Sequence, residues 1–159
     1  MSLSVTSEEV TTRVGAICDG LAGLEGPLLP ILHEVQEEFG FIPEGALQTI
    51  AKKLNLSRAE VHGVASFYHD FREEKPGRHV IKICRAEACQ SMGADDLSDH
   101  AKRKLKVDWS ETTSDQNVTL EPVFCLGLCA CAPAAMVDGK VIGRVSKDRL
   151  DRILSEVGS

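Results

Sequence analysis

The sequence predicts an α+β chain, with a helical bundle over residues 1–73 and a small α/β layer structure over residues 74–159. Three observations carry that reading. Up to about Phe71 the apolar residues recur every three or four positions, the period of an amphipathic helix. Glu73-Glu74-Lys75-Pro76-Gly77-Arg78 is a polar connection with Pro-Gly punctuation. Beyond it, short strand-like runs alternate with helical patterns.

Helical spacing starts at Val5, and Val10, Val14, Ile17, Leu21 and Leu24 form the apolar stripe of a first helix. A second runs from about Pro27 to Phe39 with Leu28, Leu32, Val35 and Phe39 on one face; Pro27 suits its first turn and Gly40 its end. Pro43 opens a third, carrying Ala46, Leu47, Ile50, Ala51 and Leu54. Ser57 and Glu60 form a capping box for a fourth that runs to about Tyr68, with Leu56 placed to staple onto Val61. In the second part, residues 79–84 read as a strand, 95–105 as a helix and 118–124 as another strand. Residues 134–137 and 141–145 flank Asp138-Gly139, a strong hairpin signal. Ser146 caps a last helix carrying Leu150, Ile153, Leu154 and Val157. Strand, helix, strand, hairpin, helix is the order of a small thioredoxin-like α/β layer structure.

With 43% hydrophobic and 26% charged residues, the 159-residue chain has an ordinary globular mixture, sufficient for a core. Met1 to Glu9 hold neither the basic start nor the apolar run of a secretory leader. The greasiest stretch, Leu28 to Leu32, is broken by Pro30 and falls far short of the ~20 residues of a membrane span. A net charge of −6 offers phosphates no partner. A cytoplasmic protein is expected, with no nucleic-acid or direct membrane contact. Gly20 to Gly26 lack the preceding strand of a nucleotide-binding loop, and no catalytic acid–base set stands out.

Five of the six cysteines lie in the second half. Cys84-x4-Cys89 and Cys125-x3-Cys129 each sit at the end of an expected strand, where α/β sheets present their sites. If those strands are neighbours, four thiolates converge. Soft thiolates select iron–sulfur clusters, zinc or copper(I). Structural zinc favours tighter Cys-x2-Cys knuckles, whereas these wider loops leave room for two irons and two sulfides. Gly127 lets backbone N–H groups turn toward sulfur, and a helix starting just after Cys89 would add further donors. A [2Fe–2S] centre on Cys84, Cys89, Cys125 and Cys129 is therefore expected. A zinc-stabilised interaction module is the alternative of another class. A thiol–disulfide oxidoreductase is disfavoured, because that chemistry uses Cys-x-x-Cys at a helix start.

Cys18, one position beyond Ile17, reads as a buried inert thiol, and Cys131 as a non-ligand, since Cys-x-Cys is cramped on one cluster. Arg85 is expected at the surface rather than as a charge acting on the centre. His62 and His69, seven residues apart, fall on one helical face and read as surface or interface residues. Trp109 is expected to pack at a helix end, and Lys102-Arg103-Lys104 to form a solvated face.

Nearly the whole chain resembles the thioredoxin-like [2Fe–2S] subunit family of NADH:quinone oxidoreductase, NAD-reducing hydrogenase and NAD-dependent formate dehydrogenase. The resemblance rests on Val35-Gln36-Glu37-Glu38-Phe39-Gly40-Phe41-Ile42-Pro43, Val61-His62-Gly63-Val64-Ala65-Ser66-Phe67-Tyr68, Cys84-x4-Cys89 and Cys125-Leu126-Gly127-Leu128-Cys129-Ala130-Cys131-Ala132-Pro133. It implies a thioredoxin-like [2Fe–2S] ferredoxin domain after the bundle, one [2Fe–2S] cluster as cofactor, and Cys84, Cys89, Cys125 and Cys129 as its ligands. His62-Gly63, Phe67-Tyr68-His69-Asp70-Phe71-Arg72 and Cys129 to Met136 look most like the gamma subunit of cytosolic, molybdenum-dependent formate dehydrogenase. That likeness implies a non-catalytic electron-transfer subunit docked on an FMN/NAD-binding subunit and, through it, serving a molybdenum-containing subunit. The aromatic residues of Phe39 to Pro43 and Phe67 to Phe71 are expected either to pack or to provide docking surface.

Overall fold

The structure is a computed structural model that describes residues 6–158; Val5, where the helical spacing begins, lies outside them. The chain forms two compact units, the first ending at Lys75 and the second beginning at Pro76.

The first unit holds α1 (Ser7–Leu21), α2 (Leu28–Phe39), α3 (Glu44–Leu54) and α4 (Arg58–Phe67). Reciprocal caps start α1 and α4. The Thr6 hydroxyl accepts the Glu9 N–H while the Glu9 carboxylate accepts the Thr6 N–H, and Ser57 and Glu60 do the same. Gly40 (φ 82°) and Asn55 (φ 54°) take the left-handed conformation that ends α2 and α3. Val14, Ile31, Leu32, Val35, Ala46, Ile50 and Val61 are fully buried and form the core of this unit.

Two expectations are corrected here, and one left open is resolved residue by residue. Helix α1 stops at Leu21, short of the glycine-rich turn, so Leu24 leaves the apolar stripe and stands 49% exposed. Helix α4 stops at Phe67 because Tyr68 is extended (φ −90°, ψ 109°). His69 therefore shares no helical face with His62, which instead lies 3.5 Å from Glu73. Two of the aromatic residues pack: Phe39 lies under the Arg13 guanidinium, and Phe71 is buried against His33. Phe67 (73%) and Tyr68 (43%) stand exposed, stacked edge to face with each other at the surface.

The second unit comprises β1 (His79–Cys84), α5 (Glu87–Ser91), α6 (Ala94–Leu105), β2 (Glu111–Thr112), β3 (Val118–Val123), β4 (Ala135–Val137), β5 (Lys140–Ile142) and α7 (Lys147–Val157). The five strands make one sheet in the order β2-β3-β1-β4-β5, with β1 and β3 parallel and every other pair antiparallel. Ile81, Ile83, Val118 and Leu120 pack with Leu97 and Ala101 of α6 and Leu150 and Ile153 of α7. Pro122 lies in β3 beyond the two residues that pair with β2, so its missing N–H breaks no ladder on that side. At the hairpin tip Asp138 (φ 47°) and Gly139 (φ 82°) both have positive φ, as a tight two-residue turn requires. The Asp138 carboxylate also accepts the Val80 N–H at 2.9 Å and bonds His79 Nδ1 at 2.7 Å, tying the tip to the start of β1. Neither α5 nor β2 is marked in the sequence pattern. No helix among the described residues is long and apolar enough to cross a membrane.

The N–H of Ser57, and then its hydroxyl, hold the Glu60 carboxyl below the usual carboxylate range. A carboxyl lowered in the fold stabilises it fully above the unfolded value and ceases to as pH falls through the lowered folded value. Glu60→Gln keeps the cap but removes the titration. Its thermal midpoint should therefore fall less on acidification than that of the wild type. Ser57→Ala removes the cap and should cost about 1 kcal/mol in denaturant unfolding at neutral pH.

Candidate metal centre

Strands β1 and β3 run parallel with Cys84 opposite Val123, so their C-terminal ends open on the same sheet edge. Cys84 is the last residue of β1, and Cys125 follows the end of β3 by two. Two backbone hydrogen bonds fix the edge. The Arg85 N–H donates to the Val123 carbonyl at 2.8 Å, and the Cys84 N–H donates to the Ala134 carbonyl at 3.0 Å. The expected adjacency of the two cysteine loops is what this sheet provides.

The helix on the first loop is displaced from its expected position. It does not start after Cys89 but contains it: Ala86 precedes α5, and Cys89 is its third residue. The Cys84–Arg85–Ala86 turn leaves the strand directly, so the N–H of Ala86, the residue capping α5, meets the sulfur of Cys84 instead. On the second loop Cys125 takes φ 101°, unusual for a residue with a Cβ, and Gly127 takes φ 75°. The loop doubles back so that the Gly127 N–H lies 3.4 Å from Cys125 Sγ, and Cys129 Sγ lies 3.8 Å from the same atom. Cys129 to Cys131 form a short 3-10 turn.

Cys84 and Cys89 are 2% exposed, whereas Cys125 and Cys129 face solvent. Burial works against ionising Cys84. The N–H of Ala86, the Cys89 thiol and the N–H groups of Leu126 and Cys125 outweigh it and hold this thiol below its ordinary range. Burial, with the hydrogen bond to Cys84, pushes the Cys89 thiol up, and the Ala134 N–H partly offsets this. The hydrogen bond with Cys125 and the charge of that thiol push Cys129 up. Among the described residues, no group of three or more His, Cys, Asp or Glu side chains is arranged around one metal ion. The donor set is four thiols in two pairs, ringed by backbone N–H groups. Four soft ligands and hydrogen bonds to sulfur are what a two-iron, two-sulfide anion requires, so these residues fit one.

The other singled-out residues have surroundings of their own. Cys18 is buried in the first unit, where burial and then the Asp19 carboxylate push its thiol up. Cys131 is half-buried. Arg85 is tethered rather than free: its guanidinium is 3.1 Å from Asp95 and stands over Trp109, with Lys102 on the same ring. Lys102 thereby leaves the solvated face expected for residues 102–104, while Arg103 and Lys104 stay exposed. Ala86 and Ala134 were not legible as donors, because a backbone N–H carries no residue-type signal. Phe124, next to Cys125, is 74% exposed and Met92, just past α5, is 62% exposed.

Comparison with known proteins agrees with this geometry. The NADP-reducing hydrogenase subunit HndA of Solidesulfovibrio fructosivorans is 33% identical over 153 residues, covering 96% of this chain and 90% of that protein. An NADH-quinone oxidoreductase subunit of Pseudomonas aeruginosa is 35% identical over 123 residues, covering 77% of this chain and 74% of the relative. A solved NAD+-reducing [NiFe]-hydrogenase in the air-oxidized state superposes with a TM-score of 0.72 at 25% identity over 83% of this chain, which spans 23% of the hydrogenase chain. The thioredoxin-like [2Fe-2S] ferredoxin family matches residues 14–158. The chain belongs to the thioredoxin-like [2Fe–2S] ferredoxin family and carries one [2Fe–2S] cluster.

Proposed function

We propose that this chain is a one-electron transfer subunit whose cluster is held by Cys84, Cys89, Cys125 and Cys129. The observation that carries the reading is the convergence of backbone N–H groups on sulfurs that two facing loops present at one sheet edge. When bound, the cluster supplies reversible uptake and release of one electron. The chain's own part is to ligate, to donate hydrogen bonds that temper the negative charge, and to bury one cysteine pair while leaving the other beside solvent. The chain performs no bond chemistry itself.

The parent complex we propose is a cytoplasmic NAD-dependent formate dehydrogenase. Here the chain docks on the FMN/NAD-binding subunit and, through it, serves a molybdenum-containing subunit. The likeness of residues 62–72 and 129–136 to the formate dehydrogenase gamma subunit supports this. A second reading, the equivalent subunit of a respiratory NADH:quinone oxidoreductase or an NAD-reducing hydrogenase, is favoured by the names of the relatives. Isolating the native complex and assaying formate-, hydrogen- and quinone-linked turnover of NAD(H) separates them. Formate-dependent NAD reduction is expected, and hydrogen- or quinone-linked turnover alone rejects the formate assignment.

Purified chain should contain about two irons and two acid-labile sulfides and show a rhombic electron paramagnetic resonance signal only when reduced. Stoichiometric zinc with no iron would return the zinc-module reading. Single serine replacements at Cys84, Cys89, Cys125 and Cys129 should each lose or alter the cluster, because serine is a harder ligand. Cys18→Ser and Cys131→Ser should keep the optical spectrum. For docking, Phe67→Asp places a charge on the exposed aromatic pair. It should lower co-purification with the flavin subunit while leaving the cluster spectrum unchanged, and full recovery of the complex would remove Phe67 from the interface.

A further inference from the structure

Among the described residues, Gly143, just past β5, is the glycine whose backbone presses on the cysteine loop. A Cβ added there would stand 2.7 Å from Cys131 Cβ and 2.9 Å from the Cys131 carbonyl oxygen. Neither atom is the free end of a flexible side chain. The contact is held from both sides. The Arg144 N–H donates to the Cys131 carbonyl at 2.6 Å, and the Val145 N–H donates to the Pro133 carbonyl at 2.9 Å. On the far side, Arg149 Nη1 of α7 donates to the Gly143 carbonyl at 2.7 Å. Retreat of Gly143 from the Cys131 backbone would stretch the two N–H donations of Arg144 and Val145 and strain the tie to α7. The 3-10 turn it supports, closed by the Cys131 N–H on the Leu128 carbonyl, is the one that carries Cys129.

We propose that Gly143 is a positioning residue for the Cys129 thiolate, wedged between Arg149 and the Cys131 backbone to hold the exposed side of the centre in place. The inference rests on the reading of Cys129 as a cluster ligand. Cys129 lies on the exposed loop, with no strand of its own. Its turn is backed on this side by the segment running from Gly143 to Val145. Relieving the 2.7 Å approach to an ordinary carbon–carbon contact of about 3.5 Å displaces that segment by roughly 0.8 Å and moves a ligand rather than a core side chain. Supporting residues of this kind typically change metal affinity about 10- to 100-fold when altered.

The test compares variants of the full chain by iron content, electron paramagnetic resonance g-values, reduction potential and thermal midpoint. Gly143→Ala should shift the g-values and the potential and lower iron retention against a chelator by about tenfold or more. Arg149→Gln, a surface change, should move the same quantities in the same direction by less. Cys131→Gly added to Gly143→Ala removes one of the two clashing atoms and should restore part of the wild-type signature. Gly77→Ala is the control. Its Cβ would meet the Asn117 backbone at 2.9 Å, but ahead of β1, roughly 17 Å of strand away from Cys84. It should lower the thermal midpoint and leave the g-values unchanged. Wild-type g-values and potential in Gly143→Ala, with loss of the cluster in Cys129→Ser, would overturn the proposal. An equal spectral change in Gly77→Ala would overturn it too. If Gly143→Ala does not fold, wild-type g-values and potential in Arg149→Gln reject it. Failure of the ligand reading shows separately, as a wild-type spectrum in Cys129→Ser.

Discussion

The centre depends on the parallel pairing of β1 with β3 and on its register. Parallel neighbours need a long connection, here α5, α6 and β2, and their pairing is held by what the sheet buries. A slip of one residue would turn the buried set of the moving strand out of the core, Ile81 and Ile83 for β1 or Val118 and Leu120 for β3. The partly buried Lys82 and Glu121 stand opposite each other in the same register, 3.3 Å apart, and oppose the same slip. The core thus determines which residue lies opposite Cys84, and thereby where the Cys125 loop begins. The placement of the cysteines is a consequence of hydrophobic register.

The cysteine pairs that meet at this edge are physically unequal. Cys84 and Cys89 are sealed by α5 and by the segment leading into β4, and they draw on four backbone N–H groups. Cys125 and Cys129 stand on a loop open to water. An anionic group bridging the two pairs is insulated on one side and accessible on the other. Accessibility shortens the path to a donor or acceptor, and insulation limits hydrolytic loss of the metal. The exposed Phe124 and Met92 lie beside the segments that carry the cysteines, so apolar surface belongs to this edge as well.

Much of this was readable from residue types with local consequences. The Ser57–Glu60 box, the Gly40 stop, the Asp138-Gly139 turn and the Ser146 cap act within four residues of themselves, and each appears where the pattern places it. The adjacency of the two cysteine loops was legible for a similar reason, since each pair sits at the end of a strand that the local pattern marks. What was not legible depends on partners far along the chain. Strand β2 has two residues and exists only because Thr119 and Leu120 offer a ladder. Helix α5 is five residues long, too short for an apolar period to develop. The end of α4 turns on the conformation of Tyr68, a residue with no helix-breaking chemistry. The donors to sulfur include backbone groups of two alanines, which composition does not distinguish from any other alanine.

The sheet is terminated by very short strands. Its outer members, β2 and β5, have two and three residues, so the unpaired backbone on either flank runs for only about 7 to 10 Å. A flank that short templates no further strand, and Lys140 adds an exposed charge to one of them. Two copies of this chain are thereby hindered from joining through their sheet edges. Any contact this unit makes is left to side-chain surfaces, which discriminate between neighbours as a bare row of backbone N–H and C=O groups does not.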